Sequence, residues 1–179
     1  MSVNDIIVIE NFLSTDECDY IIDKAKHISL RQVDVHNIGY NRKVSIGSIE
    51  DLEFVKIKLE NILETTININ GLESHIDNIQ FTDYKVGDYF DWHEDRNSNI
   101  YRIGVLSTVI QLNDDYTGGK FEIKNLNKEL VPIDNKKGSL YMFNPNLLHR
   151  ITMVESGSRH SLISWISLVK TNKTKQNLI

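Results

Sequence analysis

The chain has 179 residues, of which 40% are hydrophobic and 25% charged, with a net charge of −5, so it is long enough for one domain with a sizeable core. The acidic balance argues against a duplex-binding surface, which needs a basic patch against phosphates, and no apolar run reaches the ~20 residues of a membrane span. One cysteine, Cys18, excludes an internal disulfide and a multi-thiolate zinc site; with no basic leader ahead of a long apolar segment, the expectation is a cytoplasmic protein.

In chain order, Ile6-Ile7-Val8-Ile9 predicts a strand. Ser14 then caps a helix, and Glu17 three residues on completes a capping box. Leu13 and Cys18 stand where a hydrophobic staple would, and Cys18, Ile21, Ile22 and Ala25 share one apolar face. A second helix is predicted from near Ser48, with Leu52, Val55, Leu59, Ile62 and Leu63 as its core stripe. Between the helices, residues 31–47 mix polar and β-branched side chains, a pattern that suits a strand with a mobile loop.

From about residue 76 the pattern changes to short β-rich runs, predicted at 79–84, 89–93, 101–112, 120–123, 140–143, 149–154 and 160–168. Turn residues separate them: Asn113-Asp114-Asp115, Gly118-Gly119, residues 134–138, Asn144-Pro145-Asn146 and Glu155-Ser156-Gly157-Ser158. Many short strands at near-regular spacing predict a sandwich or barrel with the N-terminal helices packed on one face. Residues 1–170 read as a single domain and 171–179 as a polar tail that frays.

Trp92-His93-Glu94-Asp95 carries the chemistry. Residues two apart on a strand face the same side, so His93 and Asp95 can present an imidazole and a carboxylate to one ion. His149, opening a late strand, is the candidate third ligand. Two histidines and one carboxylate on one face of an octahedron leave positions open for a co-substrate and O₂, the arrangement of non-haem Fe(II) oxygenases. Taken alone, His-x-Asp arises often in solvated strand ends. Arg159, ten positions after His149 beyond the Gly157 turn, adds a guanidinium that grips a carboxylate in a fork; its plain alternative is a surface arginine in a hairpin.

The span Tyr84-Lys85-Val86-Gly87-Asp88-Tyr89-Phe90-Asp91-Trp92-His93-Glu94-Asp95 resembles the metal-binding segment of prolyl 4-hydroxylase-like Fe(II)/2-oxoglutarate-dependent dioxygenases. Arg102, Gln111-Leu112-Asn113, Gly118-Gly119, Phe121, Pro132, Gly138, Phe143, His149, Gly157, Arg159 and Trp165 follow in that family's order, over residues 79–168, and the opening Ile9-Glu10-Asn11-Phe12-Leu13-Ser14 is similar to its usual start. The resemblance implies a mainly β double-stranded β-helix (jelly roll), its core at about 76–169, with Fe(II) on His93, Asp95 and His149. It implies Arg159 on the distal carboxylate of 2-oxoglutarate, with Tyr84, Gln111 and Trp165 around the co-substrate. Gln111 departs from the pattern, standing where a second tyrosine is frequent, and Arg159 stands where collagen-type members carry lysine.

The activity so implied consumes O₂ and 2-oxoglutarate, releases succinate and CO₂, and hydroxylates a C–H bond, with ascorbate as reductant and a peptidyl proline as the first-choice target. A peptide or protein is then the expected partner, and neither nucleic acid nor membrane is. The nucleic-acid demethylase branch carries a second arginine six residues after the first, where this chain has Trp165. A redox-silent metal-binding β-roll would leave Arg159 without a task, and a cupin-type roll draws on more histidines. His27, His36, His75 and His160 are assigned to no site, His160 because it alternates with Arg159 and faces away. Residues 31–47, with Tyr40, Arg42 and Lys43, are the candidate lid. The pattern assigns no oligomeric state.

Overall fold

A computed structural model describes residues 6–37, 40–67, 72–95 and 104–170. It opens with strand β1 (Ile6–Ile9) and helix α1 (Thr15–Ala25). Strands β2 (Arg31–Asn37) and β3 (Tyr40–Ser48) follow, then helix α2 (Glu53–Ile62), which runs on into a π-helical turn, Leu63–Ile67. The β-rich part comprises β4 (Leu72–Ile76), β5 (Gln80–Tyr84), β6 (Tyr89–His93), β7 (Gly104–Gln111), β8 (Thr117–Gly118), β9 (Phe121–Lys124) and β10 (Leu130–Val131). It ends with β11 (Leu140–Phe143), β12 (His149–Ile151), β13 (Val154–Ser156) and β14 (Arg159–Lys170).

The Ser14 hydroxyl accepts from the Glu17 amide at 3.2 Å and the Glu17 carboxylate accepts from the Ser14 amide at 2.8 Å, so the capping box forms as predicted. The same carboxylate takes Lys58 of α2 at 2.6 Å and ties the two helices together. The start of α2 differs from the prediction. Ser48 ends β3, in register with Gln80, and Asp51 turns the chain at φ 61° before Leu52 takes the N-cap without a side-chain bond.

Twelve strands share one antiparallel sheet in the order β1-β11-β7-β14-β5-β3-β6-β12-β9-β10, with β2 added on β3 and β4 on β14; β8 and β13 form a separate pair. This sheet curls into a double-stranded β-helix. Its joint is β3, whose Ser45–Ser48 stretch pairs with β5 while Arg42 and Lys43 pair with β6. Residues 40–48 are therefore strand, as part of the 31–47 reading expected; on it Lys43 reaches the buried Asp88 at 3.1 Å, and Arg42 lies 4.7 Å over the Phe90 ring. β3 carries ladder bonds to β2 on one edge and to β5 and β6 on the other, whereas β2 pairs with β3 alone. The tail and Arg102 lie outside the described residues.

Strand alternation divides the interior in two. On β11, Leu140 and Met142 join the helices in one core, whereas Tyr141 and Phe143 fill the roll with Phe90, Phe121, Ile123 and Tyr84. The same rule on β14 sends Leu162 and Ile166 under the helices and leaves Arg159, Ser161 and Trp165 on the roll side. The run expected at 149–154 splits into β12 and β13 because Met153 turns to meet β8. There a Cβ on Gly118 would stand 2.2 Å from the Met153 carbonyl, so only glycine fits. Among the described residues, no helix is long and apolar enough to cross a membrane.

Candidate metal centre

His93 closes β6 and His149 opens β12, and antiparallel register sets them directly opposite each other, ring centroids 4.1 Å apart. Asp95 lies two residues beyond the end of β6. Strand alternation therefore does not place it, as the sequence reading supposed. Its amide donates to the Pro145 carbonyl at 2.8 Å. Its Oδ2 accepts from Ser107 Oγ at 2.7 Å and from the Trp165 indole N–H at 3.1 Å. So anchored, it stands with Oδ1 3.8 Å from His93 Nε2 and Oδ2 3.6 Å from His149 Nε2. Among the described residues, His93, Asp95 and His149 form the one group able to hold a metal ion, with one ligand atom from each within 4.8 Å of the others.

The imidazoles are prepared as ligands. His93 Nδ1 meets the Asp91 carbonyl at 2.7 Å and His149 Nδ1 meets the Leu147 carbonyl at 2.9 Å. A carbonyl only accepts, so each Nδ1 carries the proton and each Nε2 keeps its lone pair toward Asp95. Both rings are buried, His93 stacked on Phe90 and His149 edge-on to Phe143. Burial, reinforced by His149, pushes His93 down to about 3 against the opposing pull of Asp95, and burial lowers His149 from 6.5 as well. Two neutral imidazoles and a carboxylate suit a divalent ion such as Fe(II).

Arg159, the first residue of β14, is fully buried. Its Nη1 donates to Ser161 Oγ at 2.8 Å and its Nη2 to Gln111 Oε1 at 2.7 Å, while Nε has no partner. Its Cζ lies 5.6 Å from the centroid of the buried Tyr84 ring. Among the described residues, no carboxylate comes within ion-pairing distance of this guanidinium. A buried cation without a counter-ion is costly, and a ligand carboxylate would compensate it.

The predicted residues thus fall into two groups: His93 of β6, Asp95 and His149 of β12, with Trp165 bonded to Asp95, and Arg159 of β14 with Tyr84 of β5 and Gln111 of β7, from the two sides of the β3 joint. Gln111 lies beside Arg159, its amide oxygen accepting from Nη2. Its amide nitrogen donates to the Asn113 carbonyl at 2.7 Å and to the Tyr116 hydroxyl at 2.9 Å, so both N–H groups are committed. Sequence reasoning missed Ser161 and Ser107, which shared-face spacing from Arg159 and cross-strand pairing with Trp165 would have found. It also missed Tyr116, a loop residue with no periodic signal. His160 faces away from Arg159, half-buried and stacked on the core residue Phe81, with Nε2 3.3 Å from Asp83. His36 and His75, assigned to no site, each meet an aspartate two residues away, Asp34 and Asp77.

Residues 79–167, about half of the chain, match the family model of the 2OG-Fe(II) oxygenase superfamily. No curated protein matches the chain by sequence. Among solved structures, a Pseudomonas putida prolyl-4-hydroxylase superposes with a TM-score of 0.71 at 18% identity, covering 91% of this chain and 92% of that one. A viral collagen prolyl hydroxylase of Paramecium Bursaria Chlorella virus-1, in complex with 2OG, gives 0.67 at 22% identity, covering 91% and 96%. A Trichoplax adhaerens prolyl hydroxylase, in complex with a hypoxia inducible factor peptide fragment, gives 0.69 at 14%, covering 94% and 84%. At these identities the likeness to the solved structures is one of fold.

Proposed function

The chain belongs to the 2OG-Fe(II) oxygenase superfamily and is a 2-oxoglutarate-dependent dioxygenase, and from this premise we propose that it hydroxylates a peptidyl residue, proline first. In this reading residues 1–170 act as one catalytic domain. His93, Asp95 and His149 hold Fe(II), and Arg159 binds the distal carboxylate of 2-oxoglutarate. The metal with its co-substrate supplies oxidative decarboxylation to succinate and CO₂, coupled to insertion of one oxygen atom into a C–H bond.

The observation that carries the reading is the uncompensated Arg159 cation, buried on the same face of β14 as the Trp165 that bonds the ligand Asp95. The chain's own groups bind and orient. The carbonyls of Asp91 and Leu147 hold the histidine tautomers, Ser107 and Trp165 hold the carboxylate, and the buried aromatic rings keep bulk water from the ligands. A fixed co-substrate is thereby presented to the metal in one orientation.

For the target, Arg42 places a guanidinium near His93, its Nε buried and unpartnered, a donor suited to a peptide carbonyl. Trp165 stands where the demethylase branch carries its second arginine, and its indole is spent on Asp95. The prolyl hydroxylases among the structural neighbours support the choice of proline.

Two measurements test the proposal. Anaerobic titration with Fe(II) and 2-oxoglutarate, then O₂, should yield succinate, and the yield per enzyme should rise with ascorbate as reductant. Mass spectrometry of proline-containing peptide libraries should show a gain of one oxygen on proline that disappears without 2-oxoglutarate and in His93→Ala. Turnover of free amino acids or methylated oligonucleotides, with no peptide modified, would overturn the target and leave the oxygenase.

A further inference from the structure

We propose that Tyr116 donates its phenolic hydrogen to the distal carboxylate of the co-substrate, and that Gln111 is the positioning residue that turns this hydroxyl toward the ligand. The inference rests on the assignment of Arg159 as the 2-oxoglutarate anchor.

The argument follows hydrogen-bond polarity along a chain of buried groups. A guanidinium has donors only, so the atom of Gln111 that faces Arg159 Nη2 at 2.7 Å is the amide oxygen. The amide nitrogen then points the other way, where it donates to the Asn113 carbonyl at 2.7 Å and the Tyr116 oxygen at 2.9 Å. Accepting from Gln111 removes Gln111 as a target for the Tyr116 hydrogen. Among the described residues no acceptor for that hydrogen is in reach.

The Tyr116 oxygen also faces the donor-only Arg159 guanidinium as a hydrogen-bond partner, so the phenol hydrogen is left over beside a cation that has no counter-ion among the described residues and whose Nε has no partner. An acceptor-only, anionic group satisfies both, and a carboxylate is that group. Burial pushes the Tyr116 phenol above its usual 10, against the pull of Arg159, so it keeps its hydrogen at neutral pH.

Two glycines hold the ring. A Cβ on Gly119 would stand 3.1 Å from Tyr116 Cε2, and one on Gly157 would stand 3.2 Å from the Tyr116 Cα, each glycine having a left-handed φ of 54° or 71°. Both turns therefore close on Tyr116. A phenol is thereby returned to the co-substrate pocket from the β7–β8 loop. Position 111, where a tyrosine is frequent, instead carries an amide that orients both the arginine and the phenol.

Tyr116→Phe keeps the ring in its seat and removes only the hydroxyl. Isothermal titration calorimetry of 2-oxoglutarate into the Mn(II)-loaded full chain reads the effect without turnover. The expected result is a Kd raised about tenfold or more, the loss typical of one hydrogen bond to a charged group, with the Mn(II) affinity unchanged and the ligand-free melting temperature lowered by only a few degrees, the cost of the buried Gln111 N–H that loses its acceptor. Gln111→Glu should weaken 2-oxoglutarate further, since a carboxylate there neutralises Arg159 and captures the Tyr116 hydrogen. Wild-type affinity in Tyr116→Phe, beside loss of binding in Arg159→Met, overturns the role of Tyr116 and leaves the co-substrate site standing. Loss of affinity only in step with a lower melting temperature and weaker Mn(II) binding assigns the hydroxyl to packing and overturns it too. A wild-type chain that binds no 2-oxoglutarate overturns both readings.

Discussion

Replacing Arg159 with methionine separates the ligand-binding role of the buried cation from its role in the fold. In the parent, the guanidinium is fully buried, bonded to Ser161 at 2.8 Å and Gln111 at 2.7 Å, and lacks a counter-ion among the described residues. Removing it relieves the burial of an unpaired ion, a penalty of several kcal/mol. It also takes one partner from Gln111 Oε1 and from Ser161 Oγ, about 1–3 kcal/mol for each group left wanting. Ser161 keeps Thr82 at 2.6 Å and Gln111 keeps both bonds of its nitrogen, so the second cost falls at the low end. The two terms nearly offset, and ligand-free Arg159→Met should melt within a few degrees of the parent. The ligand response should not survive. Breaking the carboxylate pair costs on the order of 3–5 kcal/mol, more than a hundredfold in affinity. At a 2-oxoglutarate concentration of about 100 Kd the parent gains about 2.7 kcal/mol, or roughly 5–11 °C for a domain of this size. At that concentration the variant is at or below its own Kd and gains at most about 0.4 kcal/mol, roughly 1 °C. Differential scanning calorimetry of the Mn(II)-loaded chains with and without 2-oxoglutarate measures both. A variant that keeps most of the ligand shift refutes the anchor; one that loses ten degrees or so without ligand shows that the cation serves the fold.

Trp165→Phe and Ser107→Ala each remove one donor to Asp95 Oδ2; each should weaken metal binding by about 10–100-fold, read by Mn(II) titration, and unchanged affinity in both would mean that Asp95 needs no support. The two ligand histidines give the metal-free chain an acid-labile fold. Both are held neutral, His93 near 3, while an unfolded imidazole protonates near 6.5. Their contribution to stability is therefore complete above about 6.5 and is lost as pH falls toward about 3. Urea unfolding against pH should show a fall across this window that is shallower in His93→Asn, and identical slopes would exclude the effect. Ser14→Ala should cost about 1 kcal/mol by opening the capping box, a loss of roughly 2–4 °C, with metal and 2-oxoglutarate affinities unaltered.

Much of the protein is legible in its residue order because the deciding physics is local. Ser14 and Glu17 are three apart and cap α1 on their own; the Ile21, Val55 and Leu59 spacing writes the helix faces; period-two alternation and the turn glycines mark β5, β6 and β11 within a residue or so. His93, Asp95, His149 and Arg159 stand out by residue type and order. Other features depend on partners distant in sequence. Ser48 resembles a helix cap, but pairing with β5 claims it as strand. Residues 31–47 read as a strand with a mobile loop, but that β3 serves two neighbours at the bend of the roll is recorded by no local period. Asp95 reaches His93 and His149 through bonds to Pro145, Ser107 and Trp165, although the i, i+2 rule suggested the same convergence for another reason. Gln111 and Tyr116 show the division most sharply. The sequence places an amide where a phenol is frequent and a phenol five residues later. Which end of that amide faces Arg159, and hence where the hydrogen of Tyr116 points, was decided only when closure of the roll buried a donor-only guanidinium against it.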